Sequence, residues 1–297
     1  MKVGFIGLGL MGSLMFANLV KAGFEVRSFD LNGSGNCRTA RDAAEGSQIV
    51  ITMVPDGKAV RKAVLAALPG LAAGAIVIDM SSSDPGTTKE LGAMLKRKGI
   101  RMLDAPVSGA IGKAKDGTLA LMVGGDGAVL EEARPVLAAM GTEIFHTGGP
   151  GSGHATKALN NYLGAAGTIA GMEALLVGEK FGLDPKTLID VINASTGKNS
   201  TTERKIPQQV FTRAFASGFK AALMTKDVGI ARELARAVGV EAPYLNSTLK
   251  IWRAALSRLP DGADHTEMYR YLRTLKPPSR GAASRRAASP ARRRARR

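Results

Sequence analysis

The chain has 297 residues, which at about 150 residues per domain suggests two domains; 45% of it is apolar and 22% charged, with 36 glycines. That balance excludes collagen-like, wholly disordered and disulfide-scaffold classes. One cysteine, Cys37, and three scattered histidines, His146, His154 and His265, offer neither an internal disulfide nor the spacing of a zinc site.

The net charge of +16 is uneven: residues 277–297 carry eight arginines, three prolines and no acid. Half of the excess therefore belongs to a tail expected to be disordered. Near the other end, Val3 to Val20 is an 18-residue run without charge that follows Lys2 and imitates a signal segment. Gly4, Gly7, Gly9 and Gly12 within it argue against the helix such a segment needs. A second apolar stretch, Leu163 to Gly178, carries Glu173 and is shorter than the ~20 residues of a span. A soluble, cytoplasmic protein without a membrane partner is expected.

Lys2 to Ile6 reads as a strand, Gly7-Leu8-Gly9-Leu10-Met11-Gly12 as a turn, and Ser13 to Lys21 as a helix that stops before Gly23. A second strand, Glu25 to Phe29, delivers Asp30 18 residues past Gly12, close to the ~20 at which a dinucleotide fold places its ribose-binding acid. In that fold Gly7 permits the tight turn, Gly9 lets the backbone approach a pyrophosphate, and Gly12 lets helix and strand close up. The helix start supplies free N–H groups and positive potential. Asp30 would accept from a ribose 2′-hydroxyl and repel a 2′-phosphate, favouring NAD; nearby Arg27 and Arg38 leave NADP open, and a solvated strand-end aspartate is the plainer reading.

Strands Ile49 to Val54 and Ala75 to Asp79 are continuous apolar runs of the kind a parallel sheet buries on both faces. Val54-Pro55 and Ser81 to Pro85 follow them, at the edge where open α/β sheets bind ligands. The segment Met102 to Gly125 holds Ser108-Gly109 among many glycines. It reads either as a receptor for a carboxylate or as a glycine-rich hairpin between strands.

After Gly148-Gly149-Pro150-Gly151 the pattern becomes helical, so a dinucleotide-binding domain is expected over 1–150 and an all-helical substrate and oligomerisation domain over 151–276, with the tail at 277–297. A helix from Ser152 or Gly153 to about Phe181 joins them. Gly164, Gly167 and Gly171 give it a thin face for another helix. Lys157 and Asn161, four residues apart, share one face near its start; they are either solvated or, where the two domains meet, desolvated. Asp184-Pro185 caps the next helix. Ser200 to Thr212 and Phe219 to Val238 follow, and Asp264 to Glu267 resembles a capping box before a last helix that fades near Leu275.

These segments together resemble the β-hydroxyacid dehydrogenase family, 3-hydroxyisobutyrate dehydrogenases among them, over roughly residues 1 to 275. The likeness lies in GFIGLGLMG (Gly4 to Gly12), ITMVPDG (Ile51 to Gly57), DAPVSGAIGKAKDGTLALMVGG (Asp104 to Gly125), GSGHATKALNN (Gly151 to Asn161) and LMTKD (Leu223 to Asp227). The resemblance implies an α/β Rossmann domain followed by an all-α domain of the 6-phosphogluconate dehydrogenase type. It implies hydride transfer between NAD or NADP and a short hydroxy acid or semialdehyde, without a metal, in a homodimer or homotetramer. By matching position, Lys157 is the catalytic lysine and Asn161 its orienting companion, while Ser108 and Gly109 hold the substrate carboxylate. Gly7 to Gly12 with Leu8, Leu10 and Met11, together with Asp30, Val54, Pro55 and Ser82, face the coenzyme, and Lys226 lies near nicotinamide and substrate.

Two departures stand out. The stretch between Asp30 and Ile49 is about a dozen residues shorter than the family pattern, so the helix after the second strand is expected to be missing. Ala110 replaces a frequent third glycine and narrows the pocket. Lys157 serves as general acid and base if desolvation and the charge of Lys226 lower its pKa. Two other readings compete: an imine reductase, in which this lysine is commonly replaced, and a non-catalytic nucleic-acid-associated scaffold using its arginine tail for nonspecific phosphate contact.

Overall fold

The computed structural model describes residues 1–276; the expectation of a disordered tail lies outside them. Lys2–Ile6 (β1) is followed by Leu10–Lys21 (α1), Glu25–Phe29 (β2), Ala40–Ala44 (α2), Ile49–Thr52 (β3), Gly57–Ala67 (α3), Ile76–Asp79 (β4), Pro85–Lys96 (α4) and Arg101–Asp104 (β5). Val107–Ser108 (β6), Ala110–Asp116 (α5), Leu119–Gly124 (β7), Gly127–Ala138 (α6) and Gly141–Gly148 (β8) complete the sheet-bearing part. The strands β2, β1, β3, β4 and β5 lie side by side in that order and pair in parallel. Both β5 and β6 then pair antiparallel with β7, which pairs in parallel with β8.

The central strands are buried along their whole length, as helices on both faces of a parallel sheet require. Phe5, Ile51, Ile78, Leu121 and Leu130 sit in one core. Helices α3, α4 and α6 begin at Asp56, Asp84 and Asp126, whose carboxylates accept from backbone N–H groups of the first turn, each stabilising by about 1 kcal/mol. Helix α1 begins at Gly9 with no side-chain cap, so its first amides stay free.

Two expectations need correction here. The helix after β2 is present, as the five-residue α2, closed by a capping box between Thr39 and Asp42. Its buried side chains are all alanine, so no apolar periodicity announces it. The hairpin reading of the glycine-rich segment also fails, because β6 and β7 are separated by α5. Ala110 opens α5 at φ +58°, a left-handed conformation that costs an alanine about 1–2 kcal/mol.

The rest is helical: Ser152–Phe181 (α7), Pro185–Asn193 (α8), a wide helix Thr201–Val210, Ala221–Ala237 (α9), Pro243–Leu256 (α10) and Met268–Arg273 (α11). At 30 residues α7 is about 45 Å long. A second core gathers Met172, Ile206, Met224, Val228 and Trp252 around it, and the Trp252 indole donates to the Ala165 carbonyl at 3.3 Å. The wide helix tolerates Pro207 within it. The thin glycine face of α7 is only partly used: a Cβ on Gly171 would press on Thr201 and Thr202, whereas Gly164 meets open space. No helix among the described residues is long and apolar enough to cross a membrane.

Candidate active site

The glycine turn, Asp30, Val54-Pro55 and Ser82 lie at, or just beyond, the carboxyl ends of the parallel strands, where open α/β sheets bind ligands. After β1, Gly7 turns the chain at φ +103°, and a Cβ there would collide with the Met53 carbonyl. A Cβ on Gly12 would strike Gly7, whereas Gly9 has nothing within 4 Å. Backbone packs tightly behind this turn and open space lies in front of the uncapped start of α1. That cradle, with its free amides and unopposed dipole, fits a dinucleotide pyrophosphate. Asp30 Oδ2 accepts from Leu8 N at 2.6 Å and Oδ1 from Asn32 N at 2.9 Å, so the aspartate is built into the turn rather than merely solvated. A cavity of about 410 Å³ opens beside it, lined by Phe29, Asp30, Gly35, Cys37 and Arg38.

At the next strand ends, Asp79 is fully buried and accepts from Thr52 Oγ1 at 3.0 Å, Ser81 N at 3.0 Å and Ser83 Oγ at 2.9 Å. Ser81 Oγ in turn accepts from Val54 N, fixing the Val54-Pro55 loop. Asp104, buried at the end of β5, accepts from Gly151 N at 2.8 Å and His154 N at 2.9 Å. It caps α7 from a distant strand, since Gly151 has no side chain to do so. The His154 ring bridges the Ser81 carbonyl at 3.1 Å and Thr88 Oγ1 at 2.7 Å; because the carbonyl only accepts, Nε2 carries a hydrogen. The first turn of α7 is thereby bolted to the ends of β4 and β5.

One turn further along α7 stands Lys157, then Asn161. Burial pushes the Lys157 ammonium below the ordinary lysine range, Asp227 pulls it back up, and Lys226 pushes it further down. Neither a hydrogen bond nor an ion pair ties its Nζ to another described residue. Asn161 Nδ2 donates to Asp227 Oδ2 at 2.6 Å. Asp227 is 2% exposed, its Oδ1 has no hydrogen-bond partner among the described residues, and Lys226 Nζ lies 3.4 Å from that oxygen. Lys226 Nζ also donates to the carbonyls of Pro55 at 2.9 Å and Ser82 at 2.7 Å.

The fold thus joins Lys157, Asn161 and Lys226 to the Pro55 and Ser82 loops. Ser108 ends β6, where it pairs with Ala120, and Gly109 follows it at the start of α5. Asp227, Asp79, Asp104 and His154 were not assigned from the sequence. Their signals were there: two successive strand runs, IVID and RMLD, each end in aspartate, and Asp227 adjoins Lys226.

A glycine cradle with an acid at the end of the next strand has the form of a dinucleotide-binding site. The comparisons agree. Residues 2–148 match the NAD binding domain of 6-phosphogluconate dehydrogenase, and 151–272 the NAD-binding family of NADP-dependent 3-hydroxyisobutyrate dehydrogenase. The chain is 37% identical over 276 residues to the NAD-dependent L-serine dehydrogenase of Pseudomonas aeruginosa, covering 86% of this chain and 93% of that one. The solved structure of Mycobacterium tuberculosis 3-hydroxyisobutyrate dehydrogenase with L-serine aligns at a TM-score of 0.85 and 36% identity, over 92% of this chain and 99% of that one. An imine reductase from Myxococcus stipitatus, at a TM-score of 0.62 and 18% identity, covering 91% of this chain, shares the fold alone. The chain belongs to the β-hydroxyacid dehydrogenase family, the NAD(P)-dependent oxidoreductases of short hydroxy acids.

Proposed function

We propose that the chain interconverts a short 3-hydroxy acid, L-serine or 3-hydroxyisobutyrate in type, with its semialdehyde, and that Lys157 moves the hydroxyl proton. The observation that carries this reading is geometric: Asn161, on the Lys157 face of α7, bonds to buried Asp227, whose neighbour Lys226 donates to the Pro55 and Ser82 carbonyls beyond the sheet, and burial lowers the Lys157 proton affinity in support. Bound nicotinamide supplies the hydride donor or acceptor. In oxidation neutral Lys157 takes the substrate proton, and in reduction its ammonium polarises the carbonyl and returns the proton. Asn161, anchored by Asp227, orients the hydroxyl. Ser108 and the Gly109 amide hold the carboxylate.

Gly7 to Gly12, Asp30, Val54, Pro55 and Ser82 would bind the coenzyme, with NAD preferred because Asp30 opposes a 2′-phosphate. Lys226 holds the coenzyme-side loops and lowers the proton affinity of Lys157. Residues 1–150 form the coenzyme domain in this reading and 151–276 the substrate and oligomerisation domain. The exposed apolar side chains of α7, Leu163 at 68%, Val177 at 69% and Phe181 at 81%, support association with a second copy. A reducing, cytoplasmic setting suits the single cysteine.

The test is a spectrophotometric panel of L-serine, 3-hydroxyisobutyrate and glycerate with NAD and NADP, and of tartronate semialdehyde with NADH and NADPH. Turnover of at least one, with NAD used better than NADP, is expected. No turnover of any would overturn the proposal.

A further inference from the structure

In the sheet order β2 is an end strand, and an end strand presents unpaired backbone groups. The eight residues 31–38 turn back over that edge. Asn36 Oδ1 accepts from Ser28 N at 2.7 Å, and Asn36 Nδ2 donates to the Val26 carbonyl at 3.1 Å. A parallel strand bonds to the residues flanking its partner in this way, so one side-chain amide stands in for a peptide group of a missing neighbour strand. Asn36 N adds a bond to Ser28 Oγ at 3.2 Å, and Cys37 N donates to the Ser28 carbonyl at 2.8 Å. A Cβ on Gly35 would press on the backbone of Ser28 and Phe29, so the loop lies flat against the strand. The same loop forms one wall of the cavity beside Asp30.

We propose that Asn36 is a positioning residue for the coenzyme: its carboxamide clamps the loop to β2 and keeps the adenosine-side wall formed before the ligand arrives. This rests on the reading of the Asp30 cavity as the adenosine side. The wall is pre-organised, so binding does not meet the cost of ordering it. Nothing in Asn36 touches the reacting atoms.

Cys37, the one cysteine in the chain and half-buried in that wall, is a built-in reporter. Its rate of alkylation by iodoacetamide is measured in the full chain against rising ADP-ribose, which carries the adenosine half of the coenzyme and no nicotinamide. In the native chain ADP-ribose should slow alkylation. In Asn36→Ala the unliganded rate should rise about tenfold, and the ADP-ribose needed for half protection should rise about tenfold as well, equivalent to about 1.4 kcal/mol of binding. Asn36→Asp keeps the acceptor for Ser28 N and loses the donor to Val26, so it should fall between the two and shows that the variant chain folds. Rates and half-protection of Asn36→Ala within twofold of native would overturn the clamp. Absence of protection in the native chain would instead overturn the adenosine reading of the cavity.

Discussion

The crevice is bounded by two polar clusters of opposite character. Around Asp79, Asp104 and His154 every buried polar atom has a partner, and both carboxylates are saturated by backbone amides and hydroxyls. Around Lys157, Lys226 and Asp227 the accounting is incomplete among the described residues: a buried carboxylate oxygen lacks a hydrogen bond and a half-buried amine has no hydrogen-bond partner. A saturated buried network fixes geometry, while an unsaturated one keeps free energy in reserve for a ligand. Under the proposed function the first cluster is the mount and the second the working part.

That division can be broken by substitution. Lys157→Ala should lower kcat by about 10³-fold, with NAD affinity measured by titration calorimetry within threefold of native and no loss of melting temperature. Parallel loss of stability would place Lys157 with the mount. Asp104→Asn should do the reverse. Removing the charge that accepts two helix-start amides costs about 2–3 kcal/mol of folding stability in urea titrations, and activity should survive at low temperature in proportion to the folded fraction.

A third contrast lies outside both clusters. Lys205 Nζ donates to Thr168 Oγ1 at 2.8 Å, and burial holds its pKa down to about 8, helped by Arg204. The folded state therefore binds this proton less readily than the unfolded chain, so stability rises as pH increases from about 8 towards the ordinary lysine value and is flat below. Lys205→Met should stabilise the protein by about 1–2 kcal/mol at pH 7 and abolish that rise in thermal melts. An unchanged pH slope would show that the amine is solvated.

The smallest effect is on the pH profile. Asp227 raises the proton affinity of Lys157 and Lys226 lowers it. Asp227→Asn should move the acidic limb of the oxidation rate to lower pH, because the neutral amine then persists further down. Lys226→Met should move it to higher pH and also raise the KM for NAD, since the Pro55 and Ser82 loops lose their tie. Shifts in the same direction would refute the electrostatic assignment.

What could be read from the sequence divides along the same line. The glycine cradle, Asp30, the buried strands and the long helix follow from local spacing; the i, i+4 placement puts Lys157 and Asn161 on one face, while their roles come only with the family resemblance. The role of Asp104 depends on partners 47 to 50 residues away, that of the His154 ring on partners 66 and 73 away, and those of Asn161 and Asp227 on partners 66 apart. No periodicity carries such information. The five-residue α2 escaped because alanines provide no apolar stripe; its Thr39 and Asp42 pairing was the available cue. The wide helix was expected as an ordinary one, since Pro207 offers no sign of the turn geometry that accommodates it.

The bonds from Lys226 to two strand-end carbonyls have a kinetic consequence. Any motion that parts the two halves at this point must strip one ammonium from both oxygens together. One side chain of the helical half thus ties two loops of the sheet-bearing half at once, so the two contacts are made and lost as a unit.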